Sequence, residues 1–378
     1  MKKRKTEPAE KSAQAVQLRS GNIHPFSALR NVREFPQEAE VYRSMREAIP
    51  ILDAAVGKLV RLTGGFEAQC ADRTLQRQLN GFLRTVPVGR GQTGIENFLS
   101  AYLESLLTYG RAVGEMVVCG RQLQAVLWGD VTSVAIQEGD SPLDFALGHW
   151  ENGELKIFPR QNLLLFSTWG AGPDAPYGAS LFRSMPFLAD VLLKIYNTVG
   201  LNWERAGNLR YSVVYKPTTD ADRELAGERS SEIAREWSQA MQDGRNGQVR
   251  DFVAVGDVEI KVIGADGKVL DSEVPVRQIL EQLVAKTGLP PFLLGLSWSS
   301  TERMSAQQTD LLTSELWAIR RSVEPVLNRI CRLWMQLHGS SEEVRIAWDE
   351  ISLQDTVEQA HAALYSAQAD KIRRETEQ

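Results

Sequence analysis

The stretch Ser272-Glu-Val-Pro275-Val-Arg-Gln-Ile279-Leu280-Glu-Gln-Leu283-Val-Ala-Lys-Thr-Gly288-Leu-Pro290-Pro291-Phe-Leu-Leu-Gly295 is punctuated at both ends like a helix. Ser272 is of the type that caps a helix, and Pro275 falls in the first turn, where a missing N–H costs little. Ile279, Leu280 and Leu283 form one packing face. Gly288 allows the left-handed residue that closes a helix, and Pro290-Pro291 cannot prolong it. Downstream, Ser297 to Ser300 form a short polar linker. A very long helical pattern then runs from Thr301 to His338, with Leu312, Leu316, Ile319, Val323, Leu327, Ile330 and Trp334 on its apolar side and Gly339 at its end. Pro325 lies inside it and is expected to kink it.

Upstream of the same stretch, Asp251–Val255 and Val258–Ile263 read as strands, followed by a turn at Gly264-Ala-Asp-Gly267. A charged helix is expected over Ala221–Gln242, and a strand over Tyr211–Tyr215 that Pro217 ends. A second long helix is expected over Ser180–Arg205, with Pro186 early in it and Leu188, Leu192, Ile195 and Val199 in a stripe. At 1.5 Å per residue it would span roughly 40 Å. Trp203 and Tyr211 read as core residues.

Nearer the N-terminus, Val41, Met45, Ile49, Leu52, Val56 and Leu59 recur at helical spacing until Gly64-Gly65. Further helices are expected over Glu67–Leu83 and Ile95–Tyr109. Between Arg111 and Ser167 the period falls to two, over Val113–Val118, Leu123–Trp128, Val131–Ile136, Phe145–Trp150 and Leu163–Phe166, which predicts a small antiparallel sheet module. Residues 1–37 mix Lys, Glu, Gln, Ser and Pro without an apolar period, which predicts a flexible arm. The tail from Ser352 is helical in propensity but has little to bury. The expected fold class is α+β, long helices with small, mostly antiparallel sheets.

Composition narrows the function. The 378 residues carry 43 Lys and Arg against 48 Asp and Glu, so the chain as a whole lacks the basic footprint of a tight nucleic-acid binder. With 43% hydrophobic and 24% charged residues it can bury a core. No apolar run approaches the ~20 residues that a membrane span requires. Cys70, Cys119 and Cys331 are widely spaced and odd in number, so neither a disulfide framework nor a zinc ribbon is supported, and a reduced cytoplasmic setting is expected. Lys2-Lys3-Arg4-Lys5 is not followed by an apolar stretch, so no signal peptide is expected.

Catalytic signatures fare poorly. There is no phosphate-cradling G-x-x-x-x-G-K-[ST] loop, and Gly178-Ala-Ser180 lacks the flanking glycine of a nucleophile elbow. Gly89-Arg-Gly91-Gln-Thr-Gly94 does match G-x-G-x-x-G ahead of a helix, but Pro87 spoils the preceding strand. A nucleotide-using enzyme built on it is an open alternative, weaker than a simple helix start. His24, His149, His338 and His361 show no ligand spacing. Neither an enzyme activity nor a cofactor or metal is expected.

Pro176-Tyr-Gly178-Ala-Ser180, Asn202-Trp-Glu-Arg205-Ala-Gly-Asn208, Leu289-Pro-Pro-Phe-Leu-Leu-Gly295 and Ser300-Thr-Glu-Arg-Met-Ser-Ala-Gln-Gln308 resemble, in that order, the portal proteins of tailed bacteriophages and prophages. The resemblance covers roughly Val41–Gln359. It implies a portal fold with a wing, a stem, a clip and a short helical crown. The arm would be residues 1–37, the wing 38–178, the first stem helix 179–208 and the clip 209–271. The second stem helix would be 272–289, the tunnel loop and long wing helix 290–350, and the crown or tail 351–378.

The resemblance further implies a homo-oligomeric ring of about a dozen copies at one capsid vertex, in the virion and, during assembly, in the host cytoplasm. Double-stranded DNA would pass through its channel. The large terminase, the major capsid protein and a head-tail adaptor would be partners, and no membrane is involved. Ser297, Trp298, Ser299, Ser300, Thr301, Glu302 and Arg303 would form the channel-facing tunnel loop. Arg205, Arg210 and Lys216 would face clip partners. A mildly acidic balance suits a channel, because a wall of Lys and Arg would hold phosphates. Another head-tail connector or capsid-associated structural protein is the alternative.

Overall fold

A computed structural model gives the fold, and the structure describes residues 35–141, 144–172, 175–207, 210–215, 226–245, 258–263, 272–296 and 302–351. The fold is α+β, long helices with small antiparallel sheets, as expected. The chain divides into two compact units, one of residues 1–189 and 282–378 and the other of residues 190–281.

The first unit opens with two helices, α1 (Phe35–Ala48) and α2 (Pro50–Thr63), where the periodicity predicted one. The helix pattern also reaches back to Phe35, inside the expected arm. Pro50 is the cause of the split: its ring disfavours helical backbone at the residue before it, and Ile49 is extended at φ −123°, ψ 92°. Pro50 then suits the first helical position of α2. The apolar face survives the break, and Tyr42, Met45, Ile49, Leu52, Val56 and Leu59 are all buried.

The helix expected over Glu67–Leu83 is corrected. Phe66–Gln69 is a strand, β1, and the helix α3 occupies Arg73–Thr85. Phe66 and Ala68 are buried while Glu67 and Gln69 are exposed, the alternation of a half-buried strand. Asp72 separates the two elements and caps α3, its carboxylate accepting from the Thr74 N–H at 2.6 Å and the Leu75 N–H at 3.2 Å. The partner of β1 is β12 (Arg345–Trp348), antiparallel, with Phe66 opposite Trp348.

A hairpin, β2 (Pro87–Gly89) with β3 (Gln92–Thr93), leads into α4 (Ile95–Tyr109), whose Phe98, Tyr102 and Leu106 are buried. Two three-stranded antiparallel sheets follow. One has the order β5-β4-β9, from β4 (Arg111–Cys119), β5 (Gln122–Gly129) and β9 (Leu164–Thr168). The other has the order β6-β7-β8, from β6 (Ala135–Glu138), β7 (Phe145–Glu151) and β8 (Glu154–Ile157). The sequence pattern missed β8 and started β6 too early. Val131–Ser133 is a 3₁₀ turn capped by Asp130, which takes the Thr132 N–H at 2.9 Å.

The helix expected from Ser180 starts at Pro186: α5 is Pro186–Gly207. In the second unit β10 (Arg210–Tyr215) pairs antiparallel with β11 (Val258–Ile263), and α6 (Ala226–Arg245) packs against β10. The strand expected over Asp251–Val255 lies outside the described residues, as do residues 1–34 and 352–378. Helix α7 (Glu273–Thr287) has the expected bounds, and the Val276 N–H closes its first turn on the Ser272 carbonyl at 3.1 Å. Pro291–Leu294 then forms a 3₁₀ turn against α2. The long helix is α8, Glu302–Leu337, continuous through Pro325. Its Leu312, Leu316, Ile319, Val323, Leu327, Ile330 and Trp334 are buried where it packs on α2, α3, β5, β9 and β12.

Candidate functional site

The segment expected to form the tunnel loop is flanked in sequence by two described posts, the turn that follows α7 and the start of α8. On the upstream side Gly288 takes φ +71° and closes α7, after which Leu289 and Pro290 are buried. The buried Thr287 hydroxyl accepts the Leu289 N–H at 3.2 Å and donates to the Val284 carbonyl at 2.7 Å. Gly295 ends the 3₁₀ turn in the left-handed region at φ +77°, and the Leu296 N–H returns to the Pro291 carbonyl at 3.1 Å. Downstream, α8 begins at Glu302 and is anchored by Leu312. The Pro-Pro step therefore fixes where the segment leaves the core.

Of the residues expected to face the channel, Ser297, Trp298, Ser299, Ser300 and Thr301 lie outside the described residues. Glu302 and Arg303 open α8. Of those expected to face clip partners, Arg205 is in the last turn of α5, Arg210 is the first residue of β10, and Lys216 lies outside the described residues.

The downstream post is locked by Arg320. This side chain of α8 is 1% exposed, and its Nε donates to the Thr63 carbonyl at 2.9 Å, at the negative end of the α2 dipole. Its guanidinium lies 4.9 Å from the Trp317 ring and 5.1 Å from the Trp348 ring. Burial pulls its pKa below the usual arginine value, and the Asp349 carboxylate opposes that pull. One cation thereby ties α8 to α2 and to β12.

The Gly178-Ala-Ser180 step proves to be a clamp. Gly178 (φ +98°) and Gly110 (φ +77°) press together so closely that a Cβ on Gly178 would stand 1.9 Å from the Gly110 carbonyl oxygen. The Ala179 N–H donates to the Trp169 carbonyl at 2.7 Å, and the Trp169 N–H to the Gly110 carbonyl at 2.8 Å. The buried Ser180 hydroxyl donates to the Thr108 carbonyl at 2.5 Å and accepts the Phe182 N–H at 2.9 Å. The chain entering α5 is thus riveted to the end of α4 and of β9.

Helix α5 carries two apolar stripes. Leu192 is buried and Ile195 and Val199 half-buried, as the sequence pattern predicted. A second stripe, Leu193, Tyr196 and Trp203, is exposed at 37%, 47% and 68%, which corrects the reading of Trp203 as core. The signal was in the sequence: positions 193, 196, 200 and 203 share a face by helical spacing, and Gly200 leaves it flat. Tyr211 lies in β10, opposite Val262.

The glycine fingerprint does not form a phosphate cradle. Gly89 and Gly91 belong to the β2–β3 hairpin, and Gly94 (φ +91°) precedes α4 as its N-terminal cap. A cavity of about 440 Å³ does open at that helix end, but Glu67, Glu96 and Asp349 line it beside Arg84. Carboxylates there compete with a phosphate for the helix dipole. Among the described residues no group of three or more His, Cys, Asp and Glu could hold a metal ion, and no helix is long and apolar enough to cross a membrane.

Comparison with known proteins places the fold. No family model and no curated protein matches the chain. Among solved structures, a chain from the neck of a native GTA particle computed with C12 symmetry superposes with a TM-score of 0.64 over 86% of this chain and 88% of that one, at 15% identity. A chain from the virion of a native gene transfer agent particle does so with a TM-score of 0.64 over 88% and 89%, at 16% identity. An HK97-family phage portal protein from Corynebacterium diphtheriae, at 13% identity over 79% of this chain and 92% of that one, gives a TM-score of 0.43, too low to speak for a shared fold. The chain thus shares the fold of these gene transfer agent particle chains over 86–88% of its length.

Proposed function

We propose that the chain is a portal-type subunit: about a dozen copies close into a ring at one capsid vertex, and double-stranded DNA enters and leaves through the central channel. The observation that carries this reading is the fold likeness, over most of both chains, to a chain in a particle neck computed with C12 symmetry. The exposed stripe on α5 adds to it. A closed ring needs each subunit to present one surface to a different surface of the next, and a long helix apolar on two faces supplies one beyond what its own fold consumes.

In this reading the first unit holds the wing, α5 and α7 the stem, and β10, β11 and α6 the clip. The segment 297–303 forms the tunnel loop, with Trp298 between small polar neighbours that slide along phosphates without gripping them. Arg205, Arg210 and Lys216 meet the large terminase or a head-tail adaptor, and the wing meets the major capsid protein. The role is mechanical, not catalytic.

The test is the mass of the purified protein in solution, by native mass spectrometry or light scattering, followed by negative-stain imaging. Rings of about a dozen subunits with a central hole are expected. A chain that stays monomeric or dimeric even with its capsid partners present overturns the reading in favour of another connector or capsid-associated protein.

A further inference from the structure

Helix α8 carries a stripe in its second half that its own core does not consume. Ser322, Pro325, Arg329, Arg332 and Gln336 follow one another at intervals of three and four, so they stand in a row along one side of the helix. All five line cavities on the seam between α8 and β9. One, of about 440 Å³, is bounded by Ser322, Pro325 and Arg329 and by Leu165 to Thr168 of β9. The other, of about 660 Å³, is bounded by Pro325, Arg329, Arg332 and Gln336 and by Asn162 and Leu163, just before β9. The two share Pro325 and Arg329, so they lie end to end and meet there. From residue 322 to 336 the helix rises about 21 Å, the span of about six residues of extended chain.

The two ends differ in chemistry. At the first, Phe145, Phe166 and Tyr177 pack ring on ring, with centroids 5.6 Å apart for Phe145 and Phe166 and 6.3 Å apart for Phe145 and Tyr177. Phe145 is nevertheless 39% exposed. At the second, the exposed Arg329 and Arg332 stand one helical turn apart, with the amides of Asn162, Asn328 and Gln336 beside them. Arg329 is steadied by donating to the Asn162 carbonyl at 2.7 Å, which leaves further N–H groups to give. No Asp or Glu lines either cavity, although the chain carries a net charge of −5. The groove therefore complements an anion at one end and an apolar side chain at the other. A nucleic-acid strand laid along it would need cations over its whole length, whereas here they occupy one end only.

We propose that this groove receives an extended acidic peptide segment of a partner protein, its carboxylates on Arg329 and Arg332 and an aromatic side chain against Phe145 and Tyr177. The contact belongs to the single subunit and stands whether or not rings close.

Selection of a random displayed peptide library on the immobilised full chain tests it, with the selected peptides remeasured by fluorescence anisotropy on the purified subunit. Peptides that combine acidic residues with an aromatic one are expected. Arg332→Glu, at an exposed position, should weaken them about tenfold or more, while Arg332→Lys, which keeps the charge, should retain the acidic preference. Arg332→Gln replaces the glutamate variant should the reversed charge unfold the chain. Phe145→Ser should lose the aromatic preference and keep the acidic one, a split that general damage to the fold would not produce. Peptides that bind all these proteins equally, or a selection that yields none sensitive to Arg332, overturn the proposal. Single- or double-stranded DNA oligonucleotides that displace the peptides and bind more tightly than they do also overturn it, because the groove would then serve nucleic acid.

Discussion

Gly178 has no room for a methyl group, and its importance comes from a contact that is distant in sequence. A Cβ there would stand 1.9 Å from the Gly110 carbonyl oxygen, and the backbone is held at φ +98°. We expect Gly178→Ala to cost about 3 kcal/mol or more, from strain and clash together, read as the urea unfolding midpoint of the isolated subunit. Ser180→Ala leaves the buried Thr108 carbonyl and Phe182 N–H without their shared hydroxyl, which costs about 1–3 kcal/mol in the same measurement. A loss below 0.5 kcal/mol for both, a value in the range of ordinary surface changes, would sink the clamp. The sequence displayed the three residues but not their purpose. Ser180 meets an acceptor 72 positions away, and no local window contains that pairing.

Elements were legible where glycine and proline mark their ends. Helix α7, α4 from Gly94 to Gly110, and α8 up to Gly339 all fall within one or two residues of their expected bounds. The misses have two physical causes. Pro50 split a helix whose apolar period ran on unbroken, and β1 was hidden because its partner β12 lies at the far end of the chain. Pro325 poses a different problem, since α8 continues through it with Val326 and Leu327 buried immediately after. Its missing N–H deprives the Arg321 carbonyl of a helical partner, at about 3 kcal/mol in an ordinary helix interior. Cavities of about 440 and 660 Å³ flank the residue, so the helix has space to adjust around a replacement. Pro325→Ala is therefore expected to raise the stability of the free subunit by about 1–3 kcal/mol in chemical denaturation. A drop instead would mean that the proline ring itself helps to seat Val326 and Leu327.

At the scale of the whole molecule, a sequence shows stripes and a single subunit shows which of them it leaves unused. The inner stripe of α5 was read correctly. The outer one was mistaken at Trp203 because an aromatic on a long helix reads as core until a neighbour is found missing. In the proposed portal reading that surplus face and the segment 297–300 have separate roles, and a paired experiment distinguishes them. Tyr196→Glu with Trp203→Glu places two carboxylates on a surface already exposed at 47% and 68%, so subunit stability should move by no more than about 0.5 kcal/mol. Ring closure should fail, because burying two unpaired charges at each interface costs several kcal/mol per ion. Deleting Ser297 to Ser300 should do the reverse: the posts at Gly295 and Glu302 hold the subunit, rings form, and DNA packaging or retention is lost. Light scattering reads the first arm and nuclease-protected DNA in assembled particles the second. Rings from the double glutamate variant would remove α5 from the interface, and normal packaging by the deletion would remove segment 297–300 from the channel.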